Sequence, residues 1–122
     1  MHALIIEDHY LIVSLVQDLL RDLGYTSFAV ENTEEDAIRS AQAQCPDIIT
    51  ADDRLIEGSG VVAVQKICES KPIPVVFIVG DPANLLRQHP GATVVEKPFR
   101  VNELSVAVGH ALVQVHGPKA AS

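Results

Sequence analysis

Short apolar runs rich in β-branched residues recur along the chain, and each is followed by a stretch whose apolar residues repeat at helical period. A strand that must be followed by a helix before the next strand begins pairs in parallel, and a parallel sheet is covered by those helices on both faces. Five such units can be counted. The first strand is predicted over Ala3–Ile6, with a helix after it whose inner stripe is Leu11, Leu15, Leu19 and Leu23, flanked by Ile12, Val16 and Leu20 and stopped at Gly24. Thr26–Val30 reads as the second strand. Asn32-Thr33-Glu34-Glu35-Asp36 then offers a capping side chain and first-turn acids for a helix reaching about Gln44. Asp47–Ala51 is the third strand, and Val61–Ser70 its helix. Pro74–Val79, nearly all apolar, is a central strand, and only Pro82–His89 is left for a two-turn helix before Pro90-Gly91. Val94 and Val95 mark a short fifth strand. Val101, Leu104, Val108, Ala111, Leu112 and Val115 form the inner stripe of the last helix, and a loose tail is expected from Gly117 to Ser122.

At 122 residues with 48% hydrophobic content the chain suits one domain, expected over residues 1–116. Its formal charge of −7, without a basic run, gives nucleic-acid phosphates or anionic membranes little to hold. No apolar stretch approaches a bilayer crossing and no export signal is visible, so a cytoplasmic protein is expected. Cys45 and Cys68 have no metal-ligand spacing and read as packing thiols in a reducing compartment.

In an open doubly wound sheet, ligands sit beyond the carboxyl ends of the strands where the winding reverses. The residues there are strongly biased: Glu7-Asp8 after the first strand, Asp52-Asp53 after the third, Gly80-Asp81 after the fourth, and Glu96-Lys97-Pro98-Phe99 after the fifth. If the strands lie side by side, Glu7, Asp8 and Asp52 converge, and three carboxylates that close repel unless a cation sits between them. A hard ion such as Mg²⁺, which takes oxygen ligands and keeps several waters, suits such an open acidic cup. Lys97 faces the cup from the other side, where its ammonium can hold an anionic group, and Pro98 fixes the turn that aims it. Asp81 reads as the cap of the short helix begun by Pro82, and the scattered histidines read as surface residues.

These features together resemble the response-regulator receiver domain of bacterial two-component signalling. The resemblance is carried by Glu7-Asp8, by Pro46-Asp47-Ile48-Ile49-Thr50-Ala51-Asp52 with Gly58-Ser59-Gly60, and by Lys97-Pro98-Phe99, and it covers residues 3 to about 115. It implies a flavodoxin-like α/β fold with strand order 2-1-3-4-5. It also implies that Asp52 accepts a phosphoryl group from a histidine kinase or phosphotransfer protein, with Mg²⁺ on Asp8, Asp52 and the main-chain carbonyl of Arg54, Glu7 acting through bound water, and Lys97 on a phosphoryl oxygen. Counting from Pro46 favours Asp52 over Asp53, which strand alternation turns elsewhere. Receivers dock their kinase on the first helix, here Tyr10, Val13, Ser14 and Gln17, bordered by Arg100 and Asn102. Val106 and Val113 on the last helix offer a second face for weak self-association or for an unidentified downstream protein.

The sequence departs from the family where receivers carry a switch. The serine or threonine expected at the end of the fourth strand is Val79, the strand-five aromatic corresponds to Val94 or Val95, and Ile56 stands where a proline is common. The leading expectation is a stand-alone, Mg²⁺-dependent phosphoacceptor rather than an enzyme, a monomer or weak dimer acting through protein contacts or as a phosphate shuttle or sink. The alternative is a pseudo-receiver that keeps the fold as an interaction domain without using phosphate. A nucleotide or flavin enzyme fits poorly, because the turn Glu7-Asp8-His9-Tyr10 has no glycine to admit a phosphate, and a dehalogenase-like phosphatase would want Asp-x-Asp there.

Overall fold

The computed structural model describes residues 1–118, so the expected tail falls mostly on residues 119–122, outside the described part. Strands β1 (His2–Ile6), β2 (Ser27–Glu31), β3 (Ile48–Ala51), β4 (Val75–Val79) and β5 (Thr93–Glu96) alternate with helices α1 (Tyr10–Asp22), α2 (Glu34–Ala43), α3 (Gly60–Ile67), α4 (Pro82–Gln88) and α5 (Val101–His116). All four strand pairings are parallel, in the order β2-β1-β3-β4-β5. The chain winds one way from β1 to β2 and the other from β3 to β5, so the reversal lies between β1 and β3. Most boundaries fall within a residue or two of those predicted; α3 ends three residues early, at Ile67.

Side-chain alternation divides the core between the two faces. Ala3, Ile5, Ile48, Val76, Ile78 and Val95 meet Val16, Leu19, Leu20, Leu104, Ala107, Val108 and Ala111 from α1 and α5. Leu4, Ile6, Ile49, Ala51, Phe77 and Val79 meet Ala37, Ala63, Val64 and Leu85 from α2, α3 and α4. Helix starts follow the cap chemistry. Thr33 Oγ1 accepts from Asp36 N at 3.1 Å, Ser59 Oγ from Val62 N at 3.3 Å, and Asp81 Oδ1 from Asn84 N at 3.1 Å.

One prediction fails on α1. Leu11 is 64% exposed and Leu15 48%, and Leu23 is exposed too, whereas Val16, Leu19 and Leu20 are buried with Ile12 and Val13 packed against the same cluster. Three of the four leucines in the i+4 series thus lie outward, and only Leu19 belongs to the buried face. Val101, placed on the inner stripe of α5, is also exposed, while Val106 and Val113 lie outward as expected. Cys45 lies beyond α2 and is exposed, so only the half-buried Cys68 packs against the core; both thiols are free. No helix among the described residues is long and apolar enough to cross a membrane.

Candidate functional site

Three residues just past strand ends are each held by one further ladder bond. Glu7 N donates to Glu31 O, Asp52 N to Ile6 O and Lys97 N to Val79 O, each at 2.9 Å. Counting in twos along each strand, Glu7 follows Ile5, Asp52 follows Ile48 and Thr50, and Lys97 follows Val95, and Ile5, Ile48 and Val95 all face the α1/α5 cluster. The pleat thus delivers two acids and one amine to the same side of the sheet edge.

They meet there. Lys97 Nζ lies 2.9 Å from Asp52 Oδ2 and 3.1 Å from Glu7 Oε1. Glu7 is buried, and its other oxygen accepts from the backbone N–H groups of Asp8 and His9, both at 3.1 Å. Asp52 is buried and Asp8 exposed, and one carboxylate oxygen from each of Glu7, Asp8 and Asp52 lies within 4.8 Å of the others. The Lys97–Pro98 peptide bond is cis. Beside Asp52 opens a cleft of about 330 Å³ lined by Asp52, Asp53, Arg54, Gly80, Asp81, Asn84 and Lys97.

Burial raises the pKa of Glu7, and the Asp52 charge adds to this while Lys97 and the His9 amide oppose it. Burial alone would lower the pKa of Lys97, but its bonds to Asp52 and Glu7 raise it overall, so the ammonium form is secured. Asp53 is raised by burial and by the adjacent Asp52 carboxylate, against backbone hydrogen bonds. One ammonium thus faces a crowd of acids, the arrangement a hard divalent cation relieves, and oxygen-only donors around an open cleft fit Mg²⁺.

Asp53 does not turn elsewhere: β3 ends at Ala51, so strand alternation no longer governs it, and it lines the Asp52 cleft. Glu7 proves to be a direct partner of Lys97, a contact that residues 90 apart in sequence gave no local sign of. Val79 is fully buried in the α2/α3/α4 cluster, on the opposite face from Lys97, and the half-buried Val94 packs against the same cluster. Of the four α1 residues read as a docking face, Tyr10 (81% exposed) and Ser14 are outward, Gln17 is half-buried, and Val13 packs inward, contrary to expectation. Arg100 caps α5 at the surface, its backbone N donating to Glu103 Oε1 at 3.1 Å.

The phyllosphere-induced regulator PhyR of Methylorubrum extorquens is 34% identical over 89% of this chain, which spans only 42% of that protein. The solution structure of the PhyR receiver domain of Erythrobacter litoralis superposes with a TM-score of 0.84 at 31% identity, over 98% of this chain and 95% of that one. The crystal structure of the anti-anti-sigma factor PhyR of Bartonella quintana gives 0.79 at 29% identity, over 93% of this chain and 47% of that one. Residues 3–109 match the response regulator receiver domain family, and the chain belongs to that family.

Proposed function

We propose that residues 1–116 act as a Mg²⁺-dependent phosphoacceptor in a two-component phosphorelay, with Asp52 as the acceptor. The observation that carries this is Lys97 Nζ at 2.9 Å from Asp52 Oδ2 beside three carboxylates within 4.8 Å of one another. A kinase or phosphotransfer protein presents phosphohistidine. An Asp52 carboxylate oxygen attacks phosphorus, the P–N bond breaks, and the imidazole leaves with its electron pair and takes up a proton. Asp52 is a weak nucleophile, so the residues around it supply alignment and charge. Lys97 exchanges its contact with the carboxylate for one with a phosphoryl oxygen, and Glu7 keeps the amine in place. Asp8, Asp52 and the main-chain carbonyl of Arg54 would hold the cation, with Glu7 reaching it through water. When bound, Mg²⁺ neutralises charge on the phosphoryl oxygens and favours in-line geometry.

The exposed part of the first helix, Tyr10 and Ser14 with Gln17 at its margin, receives the kinase or phosphotransfer protein, and Arg100 borders that surface. The output runs through contacts with a further protein, in keeping with the anti-anti-sigma name of the Bartonella relative. Incubation with acetyl phosphate and Mg²⁺ should add one phosphoryl group. Asp52→Asn should abolish it and Asp53→Asn should not; labelling that survives Asp52→Asn moves the acceptor elsewhere.

The buried, apolar Val79 favours a second reading, an interaction domain that does not use phosphate. Beryllofluoride with Mg²⁺ separates the two. Amide shifts at Asp8, Asp52 and Lys97 support the phosphoacceptor, and silence there supports the interaction domain.

A further inference from the structure

The segment after Asp52 must present the Arg54 carbonyl at a fixed place, yet from Asp53 to Ser59 it contains no proline to stiffen it and includes the exposed Ile56. It is held from outside. Glu34, the first residue of α2, donates its N–H to Glu57 O at 3.0 Å, and its Oε1 accepts from Ser59 N at 3.0 Å, across 25 residues of sequence. Its Oε2 lies 3.8 Å from Lys66 Nζ on α3, and the Glu34 side chain is only 27% exposed. Gly58 has φ +86°, and a Cβ there would stand 2.5 Å from Glu34 Cβ, so only glycine admits so close an approach.

The opposite edge of the loop is tied to the site. Arg54 and Ser59 form an antiparallel bridge, Gly60 N donates to Asp53 O at 3.1 Å, and Arg54 lines the cleft with Asp52. Ser59 is thus shared, its N–H held by Glu34 while it is bridged to Arg54. We infer that Glu34 is a positioning residue: it braces the 53–59 loop through the Ser59 amide and thereby holds the Arg54 carbonyl ready for the divalent cation. This deepens the phosphoacceptor reading and rests on it.

The test is a Mg²⁺ titration of the full chain followed by the amide shifts of Asp8, Asp52 and Arg54, with melting temperatures measured separately in EDTA. Glu34→Ala should weaken Mg²⁺ about fivefold, the scale of one modest hydrogen bond. Glu34→Gln, which keeps an oxygen for the Ser59 amide, and Lys66→Ala should each stay within about twofold of wild type, because neither removes that bond. If Glu34→Ala fails to fold, Glu34→Asp, one methylene too short for Ser59, carries the same expectation. A variant that melts lower yet binds Mg²⁺ like wild type would show a merely structural role and overturn the inference alone, as would Glu34→Gln weakened as much as Glu34→Ala. A wild-type protein that gives no Mg²⁺ response overturns the functional reading and this inference with it.

Discussion

Lys97 Nζ reaches Asp52 Oδ2 at 2.9 Å although the two residues leave β5 and β3, strands with β4 between them and no hydrogen bond in common. The same amine answers Glu7, so removing it leaves two buried carboxylates facing one another. Lys97→Met should lower the unfolding free energy in metal-free buffer by about 2 kcal/mol, the scale of a lost charged hydrogen bond with its partners left behind. Urea denaturation measures this, and an unchanged midpoint would show that the pair is not coupled to folding.

Acidity gives a second handle. Burial first, and then the Asp52 charge, raise Glu7 above its ordinary 4.5, as burial and Asp52 raise Asp53 above 3.8. A raised acid in the folded state binds its proton more tightly than in the unfolded chain. The stability it contributes is therefore complete below the unfolded value and is lost as pH rises through the folded one. In EDTA, wild type should lose stability relative to Glu7→Gln as pH climbs from 4.5 through the raised pKa of Glu7. Mg²⁺ needs the ionised carboxylates, so its affinity should rise over the same interval. Melting curves across pH, with and without Mg²⁺, check both slopes; parallel wild-type and Gln curves would contradict the first.

Gly60 is demanded by space alone. A Cβ at this position would lie 1.7 Å from the carbonyl oxygen of Asp52, an overlap only backbone movement can relieve. Gly60→Ala should cost about 3 kcal/mol and also disturb the Asp52 amide in NMR spectra, whereas the open site at Gly109 should accept alanine without loss.

Two leucines of α1 provide a like-for-like comparison. Leu20 is fully buried and Leu15 is 48% exposed. Leu20→Ala should cost about 3 kcal/mol and Leu15→Ala less than about 0.5 kcal/mol. Equal costs in urea denaturation would restore the i+4 leucine stripe as the inner face.

Val79 supplies the last case. Threonine at this position places a hydroxyl in the apolar α2/α3/α4 cluster, so Val79→Thr should destabilise the unphosphorylated protein by about 1 to 2 kcal/mol. Chemical denaturation tests it, and a neutral result would mean that the hydroxyl finds a partner.

The strands and the strand-end acids were legible because a parallel sheet buried on both faces writes itself as short apolar runs, and because Asp8, Asp52 and Lys97 stand where those runs stop. The strand order came with the family resemblance. The face of α1 was not legible because nearly every side of that helix carries an apolar residue. An i+4 series drifts by about 40° per step around a 3.6-residue turn, so Leu11 to Leu23 wraps around the helix instead of marking one side. The buried Val16, Leu19 and Leu20, with the half-buried Ile12 beside them, mix steps of three and four. Strand alternation says nothing of Asp53, because β3 ends at Ala51 and the backbone beyond it is no longer pleated. The bonds from Glu34 to Ser59 and from Glu7 to Lys97 join distant segments, and no local pattern announces them.

Because the pocket draws its groups from the first, third and fifth strands, no contiguous fragment short of almost the whole chain can hold it. A copy cut or stalled before residue 97 keeps its acids but lacks the amine that gathers them. The cluster of two acids and one amine is therefore complete only in a chain that extends through residue 97 and has β5 paired with β4.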